Sequence, residues 1–424
     1  MKVLLISANT EPINMPVVPV GLGAVAVATQ EAGHEVKLLD LMNVRDPGLV
    51  ARNVAETFTP DVIGISVRNV DDQQMENPTF LLDPVKEIMK HCRSVSAAPI
   101  VLGGAGYSIF PESALLYLGG DMGIQGEGEV AFPTLLSLLE RGDDPSQVPG
   151  LFMPNQGSRR KKKLEPNLDL LMLPDIQPWS SLAEKDENLW MPVQTRRGCP
   201  MNCSYCSTST IEGRIIRKRS PGMVADWIAA CTRAGFKRFY FTDSIFNIPA
   251  WYARRLCSAL AERAPDIAWR CIVYPGHINE GLVREMARAG CTEVALGFES
   301  GSKRILRLMH KGFGPEDIRR TAKIFAHYGI RRMGFLMLGG PGESRQSVEE
   351  SLVFADSLQM DFMKITLGIR IYPGTALAER ALIEGIITRD DNLLFPKFYR
   401  VKGLGAWLVE TAEHWIAGRP HWVR

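Results

Sequence analysis

The chain has 424 residues, enough for two domains with full cores, and 49 basic against 47 acidic residues leave a formal charge of +2. That balance excludes the global positive field of a nucleic-acid-binding protein, and eight cysteines, three of them clustered, suit a reducing cytoplasm and a metal centre rather than a disulfide scaffold. The opening run Met1-Lys2-Val3-Leu4-Leu5-Ile6 is too short for a signal peptide or a membrane span, so a cytoplasmic protein is expected.

Residues 1–145 alternate short apolar runs with helical patterns. Strands are predicted at Val3–Ile6, Val36–Leu39, Val62–Val67, Pro99–Leu102 and Met122–Ile124, with helices at Leu22–Glu31 and Leu82–His91. This alternation predicts an α/β domain with a parallel, Rossmann-like sheet covered on both faces, and such sheets bind ligands outside the carboxyl ends of their strands. The loops there are Asn9–Gly23, Asp40–Arg45, Arg68–Thr79, Gly103–Phe110 and Gly126–Glu129. Gly103, Gly104 and Gly106 would let backbone approach a bulky flat ligand, although a Gly-Gly after a strand is commonly just a turn. Gly126-Glu127-Gly128-Glu129 opens a helix whose first amides could meet a polar group, or is simply a helix start. Residues 146–188 carry Pro149-Gly150, the basic run Arg159–Lys163 and prolines 166, 174 and 178; they read as a linker with one hairpin, the basic run being a solvated turn.

From 189 to 387 six strand-like runs alternate with helical patterns: Leu189–Gln194, Phe236–Phe241, Ala268–Val273, Glu293–Phe298, Arg332–Leu338 and Lys364–Ile369. The first leads into Cys199-Pro200-Met201-Asn202-Cys203-Ser204-Tyr205-Cys206, a Cys-x3-Cys-x2-Cys array. Closed structural zinc wants four protein ligands, yet the next cysteine is Cys231 and no histidine occurs between His91 and His277. Three grouped thiolates with one open position favour an iron–sulfur cluster. Residues 388–424 match no motif; their aromatics Trp407, Trp415 and Trp422 are expected to pack on the second domain rather than to close over its strand ends.

The cysteine spacing, with Tyr205 before the last cysteine, resembles the radical S-adenosylmethionine (SAM) superfamily. The resemblance implies a [4Fe-4S] cluster on Cys199, Cys203 and Cys206, a fourth iron that chelates SAM, reductive cleavage of SAM to a radical, and a partial (β/α)6 barrel. Gly297-Phe298-Glu299-Ser300-Gly301 is similar to the family's Glu-Ser-Gly segment, which assigns Glu299 to SAM; Leu306, Met309, Lys311 and Gly312 continue the pattern as packing and helix-ending residues. Asp243, Gly339 and Gly340, at strand ends, are further candidates for SAM, with helix capping as the rival for Asp243. Asn247 and Tyr372, the latter in the Tyr372-Pro373-Gly374-Thr375 signature, are candidates for substrate, a buried structural role being the rival for Tyr372.

The loops of the first domain, from Pro16 through Gly21-Leu22-Gly23 to Gly126-Glu127-Gly128-Glu129, resemble the flavodoxin-like cobalamin-binding domain that precedes many radical SAM cores. The resemblance implies cobalamin against Gly21, Gly103, Gly104, Gly126, Glu127 and Glu129. Arg68, Asn69, Asp71 and Asp72 are candidates to lie beneath the ring or merely to cap their loop. Ser7–Pro12 lacks the histidine that many cobalamin proteins give to cobalt, and His34 lies at the opposite end of the sheet. The expected organisation is 1–145 cobalamin-binding, 146–188 linker, 189–387 radical SAM barrel and 388–424 extension.

The resemblance points to a cobalamin-dependent radical SAM methyltransferase acting on an unactivated carbon. A small molecule, lipid, tetrapyrrole or peptide is the expected substrate, and flavodoxin or ferredoxin the electron donor. Cyclisation or rearrangement without methyl transfer is the alternative. A methylthiotransferase ranks lower because the first 150 residues hold only Cys92, and a zinc-stapled binding module without catalysis is the remaining rival.

Overall fold

The computed structural model describes residues 1–11, 18–186 and 189–424, and every count below refers to these. Pro12 and Pro16, named above in the first loop, and residue 188, the expected end of the linker, lie outside the described residues. The chain divides into two units: Met1–Asp72, Pro78–Lys185 and Thr208–Gly213 form the first, and Gln73–Asn77, Asp186–Ser207 and Arg214–Arg424 the second.

In chain order the first unit contains β1 (Lys2–Ser7), α1 (Val20–Glu31), β2 (Glu35–Asp40), α2 (Pro47–Phe58), β3 (Val62–Ser66), α3 (Leu82–Arg93) and β4 (Ile100–Gly103). After these come α4 (Ala105–Ile109), α5 (Pro111–Leu118), β5 (Met122–Ile124), α6 (Gly128–Arg141), β6 (Leu151–Phe152) and α7 (Ser180–Lys185). The sheet order is β2-β1-β3-β4-β5-β6, parallel except for β6 against β5. β1 is paired on both sides, and Val3 to Ile6 are no more than 1% exposed, which is why its sequence is an unbroken apolar run rather than an alternating one. Helix α2 goes beyond the expected elements; Asp46 caps it by accepting from the Leu49 amide at 3.0 Å, with Pro47 in its first turn. Residues 146–185 pack within this unit: Val148 and Leu151 join its core, and Trp179 is buried.

The second unit continues with β7 (Met191–Val193), β8 (Arg196–Arg197), α8 (Thr208–Glu212, grouped with the first unit), β9 (Arg217–Lys218), α9 (Pro221–Arg233), β10 (Arg238–Phe241) and α10 (Ala250–Arg263). It goes on through β11 (Ala268–Val273), α11 (Glu280–Arg288), β12 (Cys291–Glu299), α12 (Lys303–Leu308), α13 (Pro315–His327) and β13 (Arg331–Leu338). α14 (Arg345–Ser357), β14 (Phe362–Leu367), β15 (Ile369–Arg370), α15 (Ala376–Ile383), β16 (Phe398–Tyr399), α16 (Gly405–Ala417) and β17 (Trp422–Val423) complete it.

Its main sheet has the order β17-β14-β13-β12-β11-β10-β7, with every pair parallel. Six of these strands coincide with the expected runs, as a partial barrel requires. The seventh is new: the C-terminal residues do not merely pack but add β17 beside β14, pairing Met363 with Trp422 and Lys364 with Val423. Two residues of strand carry no readable period, so nothing in the sequence announced it. Along β11 and β14 buried and partly exposed residues alternate: Trp269, Cys271 and Val273 lie under the helices, while Ala268, Arg270 and Ile272 stay accessible on the inner face of an incompletely closed barrel.

Candidate active site

The cysteine loop leaves β7 through Thr195 and Arg196, and its base is fixed by a buried carboxylate. Asp243, at the end of β10, accepts from the Thr195 amide at 2.7 Å, the Thr195 hydroxyl at 2.6 Å and the Arg196 amide at 2.9 Å. The Arg196 guanidinium adds Nε at 3.1 Å and Nη2 at 2.8 Å, and its Nη1 donates to the Phe246 carbonyl at 2.6 Å. Both side chains are buried, at 2% and 1% exposure. Five donors saturate the Asp243 oxygens, so the sequence-based assignment of this residue to SAM does not fit: it is a positioning group. Asn247 departs likewise from its expected contact with substrate. Wholly buried, it donates to the Tyr274 carbonyl at 2.9 Å and the His277 carbonyl at 3.2 Å and accepts from the Tyr274 amide at 2.8 Å.

The loop itself is held by two neighbouring elements. The Ser204 amide donates to the Met309 carbonyl at 3.1 Å, and the Ser204 carbonyl accepts from the Leu377 amide at 2.8 Å. His310 Nδ1 lies 3.0 Å from the Asn202 carbonyl. Met309 ends α12, and Leu377 lies in the first turn of α15, capped by Thr375, whose hydroxyl accepts from the Ala378 amide and donates to the Tyr372 carbonyl at 2.7 Å. The Tyr-Pro-Gly-Thr turn thereby starts the helix that grips the cysteine loop, and the Tyr372 ring stacks at 5.2 Å from the Arg370 guanidinium.

Against this loop stand Glu299 and Lys311, which meet the loop's own Tyr205. Lys311 Nζ is 3.1 Å from Glu299 Oε1 and 2.9 Å from the Tyr205 hydroxyl, which donates to the same Oε1 at 2.9 Å. The Lys311 and Glu299 side chains are 6% and 8% exposed. Glu299 has φ of 65°, at a register shift in β12, and a side chain at Gly297 would press on its Oε1. Oε2 has no hydrogen-bond partner among the described residues. Burial works against the Lys311 charge, but Glu299, Tyr205 and Cys203 together outweigh it and hold the ammonium well above the usual lysine value. Burial pushes the Cys203 thiol up, with Lys311 opposing. Sequence reasoning gave Lys311 only a packing role. A lysine on the far side of a short helix from Glu299 carried the signal, but only the turn after α12 brings the two together.

Gly339 and Gly340, expected at SAM, turn their amides inward to Glu343 Oε2, the second at 2.9 Å. Their amide donors are thus occupied, which leaves close backbone approach as the way these glycines would serve SAM. Glu343 Oε1 is buried without a partner, and burial raises its carboxyl to about 7.

In the first unit the strand order reverses between β1 and β3, and a crevice opens at their carboxyl ends, lined by Asn9, Thr10, Val67, Arg68, Asn69 and Leu81 among others. Arg68 and Asn69 are thus brought to one site; Asp71, by contrast, is buried and bridges to Phe80. Gly104, at φ of 99°, and Gly106 do not form a cradle. A side chain on either would strike the Val67 or Arg68 carbonyl, so these glycines let the β4 loop close on the β3 loop. Around Gly103 the nearest atom is 3.9 Å from where a side chain would start, and Gly21 meets nothing within 4 Å. The Gly126 amide donates to Ser108 Oγ at 3.0 Å, Glu127 accepts from the Glu165 amide at 2.8 Å, and Glu129 is buried. His34 lies beside the chain's amino terminus, 3.3 Å away, remote from the crevice.

The residues fit the implied cofactors in two places. Closed structural zinc wants four protein ligands, and the cysteine loop offers three thiols, Cys199, Cys203 and Cys206. A [4Fe-4S] cluster takes each thiolate on a different iron and leaves one iron open, which matches the three cysteines of the Cys-x3-Cys-x2-Cys loop. The switch-point crevice, bordered by Asn9, Thr10, Arg68 and Asn69, presents polar groups at the strand ends where such sheets bind ligands. Beneath the same sheet end the Tyr107 hydroxyl is buried without a partner, against Gly123.

Comparison with known proteins gives the same division. Residues 6–136 match the B12 binding domain and residues 193–355 the radical SAM superfamily. An uncharacterized methyltransferase, PH0819, of Pyrococcus horikoshii is 28% identical over 400 residues, 91% of this chain and 84% of that one. The tryptophan 2-C-methyltransferase of Streptomyces laurentii is 23% identical over 437 residues, covering 88% and 73%. Among solved structures, the radical SAM methyltransferase TsrM from Kitasatospora setae, with tryptophan and a SAM analogue bound, superposes with a TM-score of 0.86 at 22% identity, over 99% of this chain and 90% of that one. The cobalamin-dependent SAM radical enzyme OxsB superposes with a TM-score of 0.80 at 17% identity, over 98% and 67%. With a B12 binding domain ahead of a radical SAM domain, the chain belongs to the cobalamin-dependent radical SAM enzymes, whose cofactors are a [4Fe-4S] cluster, SAM and cobalamin.

Proposed function

We propose that the protein is a C-methyltransferase that methylates an unactivated carbon. The observation that carries this reading is the pairing, in one chain, of a cysteine loop pinned through its Tyr205 to Glu299 and Lys311 with a switch-point crevice in a B12 binding domain. Relatives matched over most of both chains are methyltransferases of several substrates, among them tryptophan and cytidylyl-2-hydroxyethylphosphonate. Their diversity supports the reaction class and not one substrate.

When bound, the cluster supplies an electron to SAM and cobalamin carries the methyl group, so the cofactors provide the difficult chemistry. The chain's own residues bind and orient. Cys199, Cys203 and Cys206 would hold three irons, and metal binding would release the proton that burial keeps on the Cys203 thiol. Glu299 Oε2 would accept from the ammonium or a ribose hydroxyl of SAM, while Tyr205 and Lys311 fix the carboxylate through Oε1. Lys311 also offsets the negative charge that the thiolates bring into a buried site. Asp243 and Arg196 hold the strand from which the loop departs. Arg68, Asn69, Gly21 and Gly103 would line the cobalamin crevice. As a radical SAM enzyme the protein needs an external one-electron donor.

The test is anaerobic reconstitution with iron, sulfide and cobalamin, followed by mass analysis of candidate substrates. Gain of one methylene unit is expected. A product of unchanged carbon count would favour cyclisation or rearrangement instead.

A further inference from the structure

We infer that the outward face of α12, beside the cysteine loop, is the docking surface for a small acidic one-electron carrier protein. The inference rests on the radical SAM reading, in which one electron must reach the cysteine-held group from outside. Lys303, Arg304, Arg307 and Leu308 of α12 are exposed, Leu308 at 43%, while Ile305, Leu306 and Met309 are wholly buried. Helical spacing sets Lys303 over Arg307 and Arg304 over Leu308, so three cations and one apolar side chain share the outward face. Neither Lys303 nor Arg307 has an acidic partner among the described residues.

The inner end of the same helix touches the loop directly. Its Met309 carbonyl holds the Ser204 amide at 3.1 Å, and His310 meets the Asn202 carbonyl at 3.0 Å, both between Cys199 and Cys206. Arg304 donates to the Gly342 carbonyl at 2.7 Å, which sets the start of α14, with the exposed Arg345, along the border. The exposed acids Glu349 and Glu350 follow a turn later on α14. A single-sign patch speeds association with a partner of opposite sign and makes it salt-dependent, and transient redox complexes need only a small interface. Charge complementarity therefore selects an acidic carrier at the point where the protein surface comes within one layer of the cysteines. In the step itself the carrier gives up one electron and the cluster accepts it; no bond or proton changes place.

The test uses the full chain, reconstituted anaerobically, with flavodoxin as the probe and dithionite in parallel. Biolayer interferometry reads binding of flavodoxin, and stopped-flow bleaching reads reduction of the cluster. The double variant K303E/R307E should lower the flavodoxin association rate and the flavodoxin-driven reduction rate by about 10-fold or more. Reduction by dithionite should be unchanged, which also reports that the variant is folded, and K303R/R307K should keep the wild-type rates. Raising salt from about 50 mM to about 500 mM should suppress wild-type binding in the same way. Flavodoxin rates insensitive to both salt and the double variant would overturn the inference. Failure of dithionite-reduced wild type to consume SAM would instead overturn the radical SAM reading, and the binding measurement would still decide the docking face.

Discussion

At the scale of single residues, Lys311 neutralises Glu299 at 3.1 Å inside a site that water barely reaches. Removing one member of a buried pair leaves the other charge uncompensated, so Lys311→Met should cost about 3–5 kcal/mol of stability in chemical denaturation of the apoprotein. Glu299→Gln keeps the shape but removes a charge-assisted acceptor; SAM affinity, read by calorimetry on the reconstituted protein, should fall about 10- to 100-fold. Glu343 gives a pH signature. Its carboxyl titrates at about 7 when folded, against an ordinary value of 4.5. The folded state keeps a proton that the unfolded chain releases, so stability is full below the ordinary value and is lost as pH rises to about 7. The loss amounts to roughly 3 kcal/mol. Melting curves should show this fall in the wild type and a flatter profile in Glu343→Gln.

At the scale of elements, the strands were legible because they repeat a simple rule. Val3 to Ile6 is an apolar run bounded by polar residues, and Ala268 to Val273 is a short apolar run interrupted by Arg270; each became a strand within a residue or two of its expected ends. What stayed hidden depends on contacts distant in sequence. Trp422 and Val423 became a strand because β14 offered an open edge. Asp243, Asn247 and the glycines at 339 and 340 stand at the strand ends where ligands bind, as sequence position foretold. In the folded chain Asp243 accepts from Thr195 and Arg196, Asn247 bonds the backbone of Tyr274 and His277, and the two glycine amides donate to Glu343. The Tyr-Pro-Gly-Thr turn was recognisable as a signature, but its work, starting the helix that holds Ser204, was not. Thr375→Ala removes the α15 cap and should cost about 1 kcal/mol. It should also lower the iron retained per chain after reconstitution, because the grip of the Leu377 amide on the loop loosens.

At the scale of the whole molecule, two α/β units divide the cofactors: the cysteine loop and Glu299 belong to one, the switch-point crevice to the other. This division was readable from the order of motifs along the chain, since glycine-rich strand ends precede the cysteine array. Which segments belong to which unit was less readable. Gln73–Asn77 joins the second unit because Glu76 pairs with Arg424 and Met75 fills the space left by Gly368. The central claim is that Cys199, Cys203 and Cys206 carry the group that acts on SAM, independently of cobalamin binding. The direct measurement is anaerobic reconstitution of wild type and of the triple Cys→Ala variant, with iron, cobalamin and SAM consumption under reducing conditions read on each. The wild type should retain about four irons and one cobalamin per chain and consume SAM, while the variant keeps cobalamin and loses iron and SAM consumption. SAM consumption that persists in the variant, or zinc in place of iron in the wild type, would contradict the account.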